Sequence, residues 1–307
     1  MAYRGPRKRG KKVFRAIVLI LLAAILAALV AFFWYLPRYA IQQHERTITP
    51  ANDGTVTVMS SNLRYIAPTD LGTQSWFYRA ELIMADLESQ SPAIIGFQEA
   101  TRWHYKYLVE SLPQYDSVIT YRDNSIVAEG CPIFYHKDLF TLVDKGSFWL
   151  SETPEVMSKD WGSSHYRVCS YVILEDKQSG QQFVVFNTHL DHVSDEARIK
   201  GIEVVLDKIE AFGSLPAVIM GDFNAKENSK TYENVTQYFV DARYAAAETT
   251  DSATYQNWGN MDNARRIDYF MVSPNGMNVL RYNVLNHTHD GVFASDHWPL
   301  VLTVSFD

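Results

Sequence analysis

The chain has 307 residues, 47% hydrophobic and 13% aromatic, enough to bury a sizeable core and to exclude disorder as the default state. Charge is uneven: residues 1–15 carry Arg4, Arg7, Lys8, Arg9, Lys11, Lys12 and Arg15 and no acid, and removing these seven from the 28 basic residues leaves 21 against 35 acids, a net −14. So acidic a remainder repels polyanions at long range, which argues against tight non-specific binding of nucleic acid but leaves room for a local basic groove.

Residues 16–36 run for 21 positions without a charge, Pro or Gly, long enough at about 1.5 Å per residue to cross a hydrocarbon core. Trp34 and Tyr35 fall at the far end, where amphipathic rings favour the interface, and Pro37 then stops a helix. The basic block precedes the run, so the positive-inside rule keeps residues 1–15 cytoplasmic and sends the rest across as a single-pass signal-anchor protein. A cleaved signal peptide is the rival. Against it, the run exceeds the usual signal core, and Leu29 stands two before Ala31, so no small-x-small pair closes it. Residues 37–53 are expected to form a stalk reaching roughly 60 Å when fully extended.

From 54 to 307 no internal repeat or long linker interrupts the chain, and one domain is the simplest division. Residues 55–59 alternate like a strand, and 76–87 place Phe77, Ala80, Met84 and Leu87 on one helical face. Further strands are predicted at 94–97, 131–135, 166–174, 183–187, 217–220, 267–272 and 300–304. Four of these apolar segments run into polar residues: Asn62 follows the first, Glu99 follows 94–97, Asn187 and His189 close the 183 segment, and Asp222 and Asn224 follow 217–220. One such residue reads as a turn or cap. Four in series suggest a site assembled at one edge of a sheet. Trp103, His104 and Tyr105 either line that cleft or pack locally on a helix. Cys131 and Cys169 are too few for a disulfide framework, and two buried thiols or one bridge both stay open.

The polar inventory comprises Asn62, Glu99, Asn187, His189, Asp191, Asp222, Asn224, Asp268, Asp296 and His297. Hard oxygen donors dominate it and no cysteine is close in sequence, so Mg²⁺ fits better than a closed zinc site. An ion that keeps water and bridges to phosphate oxygens implies a phosphate ester as substrate.

The segments Ser61-Asn-Leu-Arg, Phe97-Gln-Glu, Asn187-Thr-His-Leu-Asp-His, Gly221-Asp-Phe-Asn-Ala, Arg266-Ile-Asp-Tyr and Ser295-Asp-His-Trp-Pro resemble the ordered motifs of the endonuclease/exonuclease/phosphatase superfamily, and Phe148-Trp-Leu-Ser-Glu-Thr-Pro resembles a signature of a bacterial branch. The resemblance implies an α/β (α+β) fold, a four-layer α/β/β/α sandwich of two packed mixed β-sheets flanked by helices. It implies that Glu99 binds the metal, Mg²⁺ or else Mn²⁺ or Ca²⁺, with Asn62 and Asp296. Asp222, with Asn224, would activate water; His189 and His297 would hold phosphate oxygens, with Asp268 fixing the ring of His297. Asn62, Tyr135, Arg167 and Asn187 are the expected phosphate contacts. His192 would support the site from behind. Ala93 and Trp298 depart from the family pattern and put substrate shape in doubt.

The leading expectation is a monomeric, metal-dependent phosphodiesterase or phosphomonoesterase on the outer side of the membrane, acting on a lipid headgroup, a sugar or inositol phosphate, or a nucleic acid. A nuclease for RNA or DNA is the alternative. An inert membrane-anchored binding module is a third, opposed by the presence of Glu99, Asp222, Asn224 and His297.

Overall fold

A computed structural model describes residues 7–35 and 46–306, in two units that divide after residue 45. In the first unit, helix α1 (Arg7–Val30) continues as a π-helical turn, Ala31–Tyr35. Gly10–Phe33 is long and apolar enough to cross a membrane. The helix starts ahead of the predicted run because Arg and Lys are themselves good helix formers. Residues 1–6, and 36–45 of the expected anchor end and stalk, lie outside the described residues.

The second unit packs against itself from Arg46 onward. Ile48 is buried, Arg46 donates its amide hydrogen to Ser111 O at 3.0 Å, and its guanidinium pairs with Glu81 at 2.7 Å and Glu88 at 3.1 Å. Residues 46–50 of the expected stalk therefore lie against the domain.

Two mixed sheets form the framework. The first runs β10-β12-β13-β1-β2-β4-β3, with β1 Thr55–Asn62, β2 Ile94–Gln98, β3 Tyr115–Val118, β4 Ile133–His136, β10 Glu248–Thr249, β12 Met277–Val284 and β13 Leu300–Phe306. The second runs β5-β6-β7-β8-β11-β9, with β5 Phe140–Trp149, β6 Val168–Asp176, β7 Gln182–His189, β8 Ala217–Asp222, β9 Val240–Asp241 and β11 Asp268–Val272. The helices are α2 Trp76–Gln90, α3 Arg102–Ser111, α4 Asp195–Glu210, α5 Lys230–Thr236 and the short α6 Ala242–Ala245.

Burial on both faces explains why the central strands read as unbroken apolar runs. In β7 and β8, Phe183, Val185, Val218 and Met220 face inward and join Val58, Ile94 and Leu302 of the first sheet in the core between sheets. Their neighbours Val184, Phe186, Ala217 and Ile219 face outward, where Ile202, Val205 and Ile209 of α4 and Val235 of α5 cover them. The predicted 131–135 strand starts two residues late because Pro132 has no hydrogen to donate. Strands β3, β5 and β12 and helices α4 and α5 were not predicted; each is exposed along one side, so its apolar signal is diluted. His104 accepts a hydrogen bond from the amide of Thr101 at the start of α3, and Tyr105 packs on Phe134 with ring centroids 5.8 Å apart, so these two rings serve packing. Cys131 and Cys169 are both buried free thiols.

Candidate active site

Strand register brings the polar ends together. His189 stands opposite Asp222 across the parallel β7–β8 pair, and Asp222 stands opposite Asp268 across β8–β11. In the first sheet Asn62 stands opposite Gln98, one residue before Glu99. Gly221 allows this convergence. Its φ is +135°, and a Cβ there would lie 1.9 Å from Thr188 O, so only glycine lets β8 approach β7 just before Asp222.

Beneath the site the two sheets are joined by amides. Gln98 donates to Asn187 Oδ1 at 2.7 Å, and Asn187 Nδ2 donates to Phe97 O and Pro132 O, both at 2.8 Å. Asn187, with no exposed surface and with its acceptor and donors all engaged, fixes the sheet spacing and is not a phosphate contact. Tyr135 is displaced as well: it stands opposite Ile94, the far end of β2 from Glu99, and belongs to the core between the sheets.

Two carboxylates meet across one amide. Asn62 Nδ2 lies 3.2 Å from Glu99 Oε1 and 3.1 Å from Asp222 Oδ2, while Asn62 Oδ1 accepts from the amide of Arg64 at 2.9 Å. Asn62 thus turns its nitrogen, not its oxygen, toward Glu99 and orients that carboxylate. Glu99 has φ 58°, a left-handed conformation costly for a residue with a side chain, and the amide of Tyr65 donates to its Oε2 at 2.7 Å. Asp296 lies with Oδ2 3.6 Å from Arg64 Nη1. Burial raises its carboxyl, and neighbouring Glu99 adds to the rise against the pull of His297 and Arg64. Glu99 and Asp296 together offer oxygen atoms only, a donor set suited to a hard divalent cation.

On the opposite rim, Asp222 accepts from the amide of Asn224 at 2.8 Å and lies 3.6 Å from His189 Nε2 and 3.8 Å from His297 Nε2. Burial, then the charge of Asp268, pushes its carboxyl up to about 7. Asp268 Oδ2 holds His297 Nδ1 at 2.9 Å and accepts from Thr254 Oγ1 at 2.6 Å. Burial opposes a charge on His297, but Asp268, Asp222 and Asp296 outweigh it and push the ring up to about 10, a cation at neutral pH. His189 goes the other way: burial and then Arg167 and Arg122 hold it well below the usual histidine range, so it is neutral. Asn224 Nδ2 reaches Leu190 O at 3.2 Å and His189 Nε2 at 3.0 Å. A carbonyl can only accept, so the amide donates, and His189 carries its proton on Nδ1.

Asp222, Asp268 and His297 could themselves surround an ion. The ring atom facing Asp268 is already hydrogen-bonded to it, so the trio forms a buried carboxylate beside an oriented imidazolium.

Arg167 is 5% exposed, donates to His192 Nδ1 at 3.0 Å, lies 3.5 Å from Asp191 Oδ2, and lines a small cleft with Glu99, His189, Arg122 and Glu129. Sequence reasoning gave no role to Arg64, Arg122 or Glu129. Arg64 stands inside a quoted motif and could have been found. Arg122, paired with Glu129 at 2.7 Å, sits in an irregular loop without periodicity, and no local signal marks it. Burial and then Glu99 push Glu129 up to about 7.

Two sheets that present acids on one rim and imidazoles with a buried carboxylate on the other are suited to phosphoester hydrolysis. The chain belongs to the endonuclease/exonuclease/phosphatase family, whose model matches residues 59–297. It is similar to the endonuclease/exonuclease/phosphatase from Bacteroides vulgatus, at 30% identity over 82% of this chain and 99% of that one, with a TM-score of 0.78. It is similar also to a mannosyl-6-phosphatase of Bacteroides thetaiotaomicron, at 33% identity over 82% of this chain and all of that one, TM-score 0.76. The Ccr4 3′-5′-exoribonuclease subunit of the CCR4-Not complex from Aspergillus clavatus is 26% identical over 170 residues, 47% of this chain but only 25% of the subunit.

Proposed function

We propose that this chain hydrolyses a small phosphoester with the help of a divalent cation, in a domain held at the outer side of a membrane by α1. The observation that carries the reading is the convergence on Asp222 of Asn62, Asn224, His189 and His297 from both sheets. Glu99 and Asp296 would hold Mg²⁺, and Mn²⁺ or Ca²⁺ share its preference for oxygen. Such an ion, when bound, neutralises charge on phosphate oxygens. Asp222, its carboxyl raised to about 7, orients the attacking water and takes its proton. Cationic His297, held by Asp268, stabilises charge gathering on the phosphoryl group. His189, fixed by Asn224, and Arg167 contact its oxygens.

Likeness along the full length of a mannosyl-6-phosphatase and the −14 charge of residues 16–307 favour a phosphorylated sugar or headgroup over a nucleic acid. The nuclease reading draws on the Ccr4 likeness and makes RNA the competing substrate. For orientation, the seven cations before α1 resist translocation, so a reporter fused after Asp307 is expected to be active only outside the cytoplasm.

The test uses the full chain in detergent with Mg²⁺ against mannose 6-phosphate, an inositol phosphate, sphingomyelin, and single-stranded RNA and DNA. Turnover of a sugar phosphate or headgroup, lost in Asp222→Asn at an unchanged Tm, is expected. Preferential cleavage of RNA replaces the substrate assignment. No Asp222-dependent hydrolysis of any member rules out the catalytic reading.

A further inference from the structure

Away from the catalytic rim, the carboxylate of Asp86 on α2 is buried at 2% exposure. Two imidazoles aim at one of its oxygens: His287 Nε2 lies 3.0 Å and His289 Nε2 2.9 Å from Oδ1. The three ligating atoms fall within 4.8 Å of one another. Among the described residues, the ion-pair partners of Asp86 are these two rings, with no Lys or Arg. A buried carboxylate is costly unless paired, and here two imidazoles either donate to it or share a bound cation with it.

The backbone sets this geometry before any ligand arrives. After β12, Asp290 and Gly291 both have positive φ, 50° and 81°, and reciprocal 2.9 Å hydrogen bonds between His289 and Val292 close the turn. Asp-Gly supplies the two left-handed positions that such a turn requires. His289 is thereby preset toward Asp86. The side chains of His287 and His289 keep 47% and 24% of their surface, so the cluster is open to solvent on one side.

We infer that Asp86, His287 and His289 form a second divalent-metal site, for a transition ion of the zinc class. Two imidazole nitrogens, one carboxylate oxygen and an open position for water are a donor set that zinc takes readily, whereas magnesium prefers oxygen alone. Bonds of about 2.0–2.1 Å from a shared centre separate tetrahedral neighbours by roughly 3.3 Å, so donors at 2.9 and 3.0 Å need little movement. The location suggests a consequence. Arg79, seven residues before Asp86 and so two turns away on the same side of α2, donates to Ala294 O at 2.9 Å, two residues ahead of Asp296. An ion at Asp86 would tie the other end of the same loop to α2 and firm the segment that carries Asp296 and His297. The site stands independently of the catalytic reading.

The test strips the full chain in detergent with EDTA, then adds Zn²⁺ in excess Mg²⁺, which occupies the hard oxygen site, and measures bound zinc by mass spectrometry after desalting. One more zinc is expected in the wild type than in the His287→Ala/His289→Ala double variant. At a hundredfold excess over Kd, Zn²⁺ should raise the wild-type Tm by roughly 5 °C or more and leave the variant unmoved. His287→Gln, at a half-exposed side chain, guards against misfolding of the double variant: it should lose the extra zinc while keeping the zinc-free Tm. Equal zinc in all three proteins, or no wild-type shift, overturns the site and leaves two rings that only donate hydrogen bonds to Asp86.

Discussion

The two rims of the catalytic cleft, one from each sheet, are built on different physical principles. The rim of the first sheet presents Glu99 and Asp296, whose carboxylates are steered by Asn62, Arg64 and the amide of Tyr65. The rim of the second presents Asp268 beside Asp222 and His189; burial and then the charge of Asp268 raise the carboxyl of Asp222, while burial and then Arg167 and Arg122 lower His189. Across the cleft Asn62 reaches Asp222, and His297, delivered by the first sheet, reaches both Asp268 and Asp222. The proposed reaction would use the aimed oxygen atoms of one rim together with the displaced proton affinities of the other, in register.

The largest expected effect separates the rims directly. Asp222→Asn removes the proposed base and should lower kcat by about 10³-fold at any Mg²⁺ concentration. Glu99→Gln should instead weaken ion binding, so that raising Mg²⁺ recovers part of its activity. Steady-state rates across a Mg²⁺ series distinguish the two, and identical Mg²⁺ dependence would dissolve the division.

Asp268→Asn should lower kcat by about 10²-fold, because it releases the ring of His297 while leaving the base in place. It has a second signature in EDTA. A ring near 6.5 when unfolded and pushed up to about 10 when folded contributes stability that is fully present below about pH 6.5 and lost as pH rises through 10. Wild-type Tm should therefore fall between pH 7 and 10, and Asp268→Asn should flatten that fall. A slope unchanged by the substitution would assign the alkaline loss to another group.

The smallest effect tests the bridge. Asn62→Ala should cost about tenfold in kcat and shift the acid limb of the pH profile, since it removes a donor shared by Glu99 and Asp222. A loss confined to Mg²⁺ affinity would place Asn62 on one rim only.

Sequence alone determined the apolar helix, because transfer of a side chain to hydrocarbon depends on composition and length, not on partners. It also located most of the site. Apolar runs buried on both faces end abruptly in Asn62, Glu99, His189 and Asp222, a pattern written locally in the strands themselves. Tertiary structure alone decided what those residues face. Asn187 and Tyr135 carry the same polar signal as their neighbours, yet one is enclosed between the sheets and the other stands at the wrong end of a strand. Arg122 reaches the cleft from a loop with no pattern, and Asp86 meets His287 and His289 across some 200 residues of chain. Such encounters depend on strand register and long-range packing, which no single stretch of sequence encodes.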